Sequence, residues 1–174
     1  MNLRFKIPFD RSTYIVQSKL VIRISCEKLL KKRNWSILLG SFFILLGALI
    51  LLGGGDVGLV YVILGLVAYL DAYIKNEKFK TYRNKVLDAV LYDLDNDLSI
   101  SDYGILDFSE EYLTFENSYL CNRTRWKDFE EFKFTRSNLF LVVEKESGFI
   151  YVIGKEEIGK NDFKRITEFV KSKT

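Results

Sequence analysis

Histidine is absent from this chain, which excludes imidazole acid–base catalysis, His-activated nucleophiles and His-ligated metal centres. Cysteine occurs twice, at Cys26 and Cys121. The two are far apart, form no CxxC, and read as reduced structural thiols in a reducing compartment. Proline occurs once, as Pro8. The glycine run Gly53-Gly54-Gly55 lacks the Lys-Ser/Thr that completes a phosphate-binding loop. The acid pairs Glu110/Glu111 and Glu130/Glu131 are neighbours in sequence, so on a strand each pair splits to opposite faces. No nucleophile stands beside a recognisable base. The chain is therefore expected not to be an enzyme, to carry no cofactor or metal, and not to act on nucleic acid.

Charge is also missing from one long stretch. Between Asn34 and Gly55 no side chain is ionised, and a second apolar run follows at residues 57–74, interrupted only by Asp71. A hydrocarbon core roughly 30 Å thick needs about 20 apolar residues in a helix. The first run meets that length, and at about 1.5 Å per residue the second reaches across most of it. A soluble helix keeps a polar face, and residues 36–52 have none, which argues against a pair of soluble core helices. A cleaved leader is disfavoured by the late start and length of the run and by the second run that follows at once. Gly53-Gly54-Gly55-Asp56 suits a tight turn between helices. The stretch reads as a transmembrane helical hairpin whose first partner is the lipid bilayer.

The flanks orient it. Lys28, Lys31, Lys32 and Arg33 precede the first run, while Lys75, Lys78, Lys80, Arg83 and Lys85 follow the second. The turn holds no Lys or Arg. Positive charge marks the cytoplasmic side, so a multi-pass protein of the inner (plasma) membrane with both termini cytoplasmic is expected. Lys31, Lys32, Arg33, Lys75 and Lys78 would then lie against an anionic leaflet; orientation by charge alone is the simpler reading. Gly40 with Gly47, and Gly58 with Gly65, are each spaced seven residues apart and so lie near one helix face, where backbones approach closely. Packing within the hairpin is favoured over a homo-oligomeric contact. Asp71 marks either an ion path or, more simply, a carboxylate paired with Lys75 four residues on.

At 174 residues and a net charge of +3, the chain has room for this hairpin and one modest domain. Leu3, Phe5, Ile7 and Phe9 alternate with polar residues, predicting a strand that Pro8 assigns to a sheet edge. Asp10 or Ser12 is placed to cap a helix over residues 11–33. That helix is read either as a stalk or as an amphipathic segment lying on the membrane, and the stalk is preferred. Residues 75–92 repeat apolar side chains at helical spacing and end in the turn-forming Asp93-Leu-Asp-Asn-Asp. Beyond this the texture is β, with strands expected at residues 98–102, 105–108, 112–116, 119–126, 129–135, 138–144 and 149–154. A helix near residues 161–173, capped by Asn161, closes the chain. The resulting division is residues 1–33 (strand and helix), 34–75 (hairpin), 76–97 (juxtamembrane helix and linker) and 98–174 (cytoplasmic domain). Helical segments of similar length before and after the hairpin would bring residues 3–9 to the height of that last domain's sheet.

The order of elements, with Tyr112-Leu-Thr-Phe-Glu, Thr124-Arg-Trp-Lys-Asp-Phe-Glu-Glu-Phe, Leu139-Phe-Leu-Val-Val, Phe149-Ile-Tyr-Val-Ile and Asp162-Phe-Lys-Arg-Ile-Thr-Glu-Phe, resembles the YcxB-like proteins of bacteria. That resemblance implies an α+β membrane protein: a transmembrane hairpin plus a cytoplasmic pleckstrin-homology-like antiparallel sheet or partial barrel, capped by a C-terminal helix. It brings no established activity. Arg123, Arg125 and Lys127 bracket Trp126, and Arg123 and Arg125 share a strand face, so the four residues form a candidate site for an anion or a partner's carboxylates. Pairing of these cations with Asp128, Glu130 or Glu131 is the plainer alternative. The expected role is a non-enzymatic binding module for an unknown protein partner or for anionic lipid head groups. A membrane-bound immunity or stress-protection protein is the alternative, and a small oligomeric transporter the remote one.

Overall fold

The first alternating stretch does become a strand. In the computed structural model, which describes residues 3–96, 103–145 and 147–173, β1 (Leu3–Pro8) pairs antiparallel with β2 (Tyr103–Phe108), Leu3 facing Phe108 and Pro8 facing Tyr103. The sheet continues through β3 (Tyr112–Glu116) and β4 (Cys121–Arg125) in the order β1-β2-β3-β4, so the proline-bearing strand is an edge. A second antiparallel sheet holds β5 (Glu131–Phe134), β6 (Asn138–Glu144) and β7 (Phe149–Gly154). Helices α1 (Arg11–Ser25), α2 (Glu27–Leu52) and α3 (Gly58–Asp95) lie between β1 and β2 in sequence, and α4 (Lys155–Ile158) and α5 (Lys160–Lys171) close the chain.

The chain forms two compact units, one running from Cys26 to Val86 and the other holding the residues up to Ser25 and from Leu87 onward. The second, here the lobe, is an α+β unit whose two sheets and α5 share one core. Residues opposite each other in an antiparallel pair share a face, so the register puts Leu3, Leu106, Phe108 and Leu113 on the inner side of the first sheet. Leu139 and Leu141 of β6 and Ile153 of β7 meet them there, with Ile166 and Val170 of α5. Helix α5 is amphipathic as expected: Phe163, Ile166, Phe169 and Val170 are buried while Lys164, Arg165 and Glu168 are exposed. Leu139 to Val142 are all buried, as a strand covered on both faces requires; in β7, by contrast, Phe149 is exposed and only its far end is covered.

The other unit, the hairpin, comprises α2 and the part of α3 up to Val86. Its turn is held by Gly53 N–H donating to Leu49 O and Gly55 N–H donating to Ile50 O. Gly54 there has φ 83°, a left-handed backbone that a side chain resists.

Several boundaries differ from the expectation. The helix expected over residues 11–33 is two helices, broken at Cys26, whose ψ of 8° opens the backbone; α1 belongs to the lobe rather than to a stalk. The two helical segments expected after the turn are one, 38 residues long, ending at Asp95 inside the Asp/Asn cluster. The final helix is capped not by Asn161 but by Gly159, whose φ of 81° separates α4 from α5 and lets the helix restart one residue earlier. The fourth strand begins at Cys121, because Asn117 Oδ1 accepts from the backbone N–H groups of Tyr119 and Leu120 and holds them in a turn. The strand expected at residues 98–102 lies outside the described residues.

Candidate functional site

Trp126 follows β4 as the first residue of a single 3-10 turn, Trp126–Asp128. Its ring is buried and stacks on Phe108 and Phe129 at centroid distances of 6.2 and 5.5 Å. Its indole N–H donates to Ser109 O at 2.9 Å, satisfying the one polar atom it brings into the core. Trp126 is thus a packing anchor that fixes its neighbours, not a free platform for a ligand.

Those neighbours stay outside. Arg123 and Arg125 are exposed on β4, and Lys127 on the turn. The Arg123 guanidinium lies 3.8 Å from the Tyr112 ring centroid, across the β3–β4 ladder. Neither Arg125 nor Lys127 has an ion-pair partner among the described residues. Two of the three acids that were the alternative are engaged elsewhere: Glu131 takes Lys145 at 3.2 Å and Lys133 at 3.5 Å, and Glu130 accepts from Lys145 N–H. Arg125, Trp126 and Lys127 line one shallow cleft of about 470 Å³ together with Tyr112, Glu110, Glu111 and Lys173.

Sequence reasoning missed the last three as part of this site, because Lys173 lies 46 positions beyond Lys127 and 48 beyond Arg125. Lys173 Nζ donates to Glu110 Oε2 at 2.5 Å. That bond holds the Glu110 carboxyl down at about 2. The cleft therefore carries two uncommitted cations, one neutralised pair and the further acid Glu111. It favours an anion only weakly.

In the hairpin every predicted glycine sits at the helix–helix contact. A Cβ at Gly47 would stand 2.6 Å from Gly58 O, and one at Gly65 would stand 2.8 Å from Gly40 O. Side chains of one helix lie over glycines of the other: Val62 over Gly47, Leu51 over Gly58, Ile44 over Gly65 and Tyr69 over Gly40. Asp71 faces the same seam. Its carboxylate accepts from Lys75 and, at 2.6 Å, from Ser36 Oγ, while Lys75 Nζ also reaches Ser36 Oγ at 3.0 Å. Of the flanking cations, Lys75 is thus committed, Lys31 pairs with Glu27 at 2.9 Å, and Arg33 donates to Asn76 and Asn34. Lys32 and Lys78 are exposed and have no ion-pair partner among the described residues.

Both hairpin helices are long and apolar enough to cross a membrane, and only 17% of each apolar window is buried. Among the described residues no group of acids and cysteines is placed to hold a metal ion. Compared with protein-family models, curated proteins and solved structures, the chain matches none.

Proposed function

We propose that this chain is a non-enzymatic integral protein of the inner (plasma) membrane, with both termini cytoplasmic and a pleckstrin-homology-like lobe that serves as a binding module for a protein partner or for anionic lipid head groups. The observation that carries the reading is the outward face of the hairpin. Leu38, Phe42, Leu45, Leu49 and Leu52 form one stripe on α2, and Leu59, Ile63, Leu66 and Leu70 form another on α3, all exposed. A core helix in a soluble protein buries such a stripe, and exposed stripes of this length on both helices support lipid surroundings. The flanking Lys and Arg side chains support the assignment of the cytoplasmic side.

A four-stranded and a three-stranded antiparallel sheet around one core, closed by a C-terminal helix, support the pleckstrin-homology-like and YcxB-like readings of the lobe. Exposed Arg123, Arg125 and Lys127 support a docking role for the β4 side, where an acidic protein surface or a phosphate head group would find two uncommitted cations.

The test uses the full chain, because β1 supplies an edge strand that residues 98–174 alone would lack. Terminal tags should resist protease on intact cells and be digested once the cells are permeabilised; digestion on intact cells would overturn the topology. In nanodiscs, soluble glycerol phosphate should bind in competition with salt and lose affinity in the triple variant Arg123→Glu/Arg125→Glu/Lys127→Glu. A protein partner instead would be captured by cross-linking in cells and released by the same variant. If the triple variant changes neither, the β4 side is not the docking surface.

A further inference from the structure

The lobe contains a half-open cavity of a different character from the β4 cleft. It measures about 400 Å³, within the range of small-molecule sites. Its walls come from the ends of β1, β2 and β3, from β7, and from the helical residues of α1, α3 and α4 that belong to the lobe. Two aromatic pairs face into it: Phe9 with Tyr14 at 5.8 Å between centroids, and Phe115 with Tyr151 at 6.2 Å. Ring Phe115 takes its place because Gly104 opposite has no side chain; a Cβ there would stand 2.7 Å from the ring. Aliphatic Ile7, Leu94, Leu106, Ile150 and Val152 complete an apolar lining.

The charged lining is of one sign. Asp10, Asp93 and Glu157 face the cavity, and among the described residues no Lys or Arg lines it. Glu157 is the half-buried one. It accepts from Gly154 N–H at 2.7 Å and from Gln17 Nε2 at 2.6 Å. These bonds orient the carboxylate but bring no positive charge. Burial and the Asp10 charge both push its carboxyl above the ordinary range. Asp93 acts in the same direction on the Tyr14 phenol, after burial. An aromatic chamber holding carboxylates without a countercharge is complementary to a positive ligand, since ring faces and carboxylates both attract one. A phosphate or carboxylate ligand would be repelled.

We infer that this cavity binds a small organic cation, an amine or quaternary ammonium carrying an apolar body, with its charged centre held by Glu157 and the aromatic pairs. The inference is independent of the membrane reading, since every group involved lies in the lobe.

Calorimetric titration of the full chain in maltoside micelles, which carry no ammonium group, decides it. Choline is compared with its neutral isostere 3,3-dimethylbutanol, and benzyltrimethylammonium serves as the larger cation. Both cations should bind saturably at one site, the benzyl compound more tightly, and the neutral alcohol at least about tenfold more weakly than choline, a difference of about 1.4 kcal/mol. Glu157→Gln keeps an oxygen for Gly154 N–H, and Asp93→Asn touches no hydrogen bond; each should weaken choline binding severalfold with the melting profile of the lobe retained. Where micelles doped with phosphatidylethanolamine compete, the natural cation is a lipid head group; where they do not, it is a soluble amine. Equal binding of the alcohol, absence of saturation by either cation, or binding indifferent to both variants would overturn the inference.

Discussion

The two units are built inside out with respect to each other. In the lobe the fully buried side chains are large: Phe108, Leu113, Leu139, Leu141, Val142, Ile153, Ile166 and Val170. In the hairpin the buried positions are Ser36, Gly40, Gly47, Gly58, Gly65 and Ala72, and apart from Ile44, Leu51, Val62 and Tyr69, which cover the glycines, many large side chains are exposed. Water drives the first arrangement, because sequestering apolar area is favourable at roughly 25 cal/mol per Å². In the proposed membrane setting it would not drive the second. Between helices in lipid there is no hydrophobic gain from contact, so association rests on close backbone approach and on hydrogen bonds across the seam. The two units thus follow opposite rules, and the difference is the one expected if lipid surrounds the hairpin, as proposed.

The largest effect expected of a single change falls in the lobe. Phe108 is completely buried and touches Phe5, Trp126 and Phe169 at ring distances of 6.1, 6.2 and 6.3 Å. Phe108→Ala should cost about 3–5 kcal/mol, read from denaturant unfolding by Trp126 emission in a Trp35→Phe background. The counterpart in the hairpin is Leu45→Ala, where the side chain is 66% exposed. If lipid is its surroundings, the loss should be well under half as large. Comparable losses at the two positions would abolish the contrast and place Leu45 in a protein core.

The next effect runs in reverse, from small to large. Gly47→Leu puts side-chain atoms where Gly58 O already stands 2.6 Å from the Cβ position. Backbone does not move aside as a flexible side chain does, so α2 and α3 must separate locally. Overpacking of this kind costs about 1–3 kcal/mol. Spin-label distances between the two helices should lengthen at the turn end, while Leu45→Ala leaves them unchanged. Unaltered distances in Gly47→Leu would show that the glycines do not hold the pair together.

How much of this was legible follows from the range over which each signal acts. The hairpin announces itself in composition, and the glycine spacing gives its seam, because both are local. Strands β3, β6 and β7 appear at the boundaries read from alternation and turn residues. The helix break at Cys26 has no glycine or proline to announce it, and nothing in the structure explains it. Residues 119 and 120 look like strand until the Asn117 side chain takes their N–H groups. The sites were the least legible. Trp126 reads as a core or rim packing residue beside cations, and its ring is indeed core while the cations are exposed. The acidic cavity draws on residues from Ile7 to Glu157, assembled by the β1–β2 pairing across some 95 intervening positions, and no local motif encodes it.

The smallest expected effect concerns charge, and it separates two acids of the lobe by sign. Glu110 is exposed and held at about 2 by Lys173. Its carboxyl is depressed when folded, so the pair's contribution is present above the ordinary carboxylate range and is lost as pH falls toward 2. Glu157 is the opposite case: burial raises its carboxyl, so ionisation opposes folding. That penalty is absent below the unfolded value, where the group is protonated in both states, and grows in as pH rises through the folded one. Glu110→Gln should therefore lower the unfolding midpoint at neutral pH and lose its effect in acid. Glu157→Gln, with no cation added, should leave the midpoint unchanged or raise it at neutral pH, the gain vanishing below about pH 4. Thermal unfolding of both variants from acid to neutral pH reads the two slopes in one series. Parallel slopes would mean that Glu157 is as well compensated as a surface carboxylate, and the buried polar groups of the lobe would then resemble Asp71, Ser36 and Lys75 of the hairpin, where acid, hydroxyl and ammonium are brought together in one bonded set.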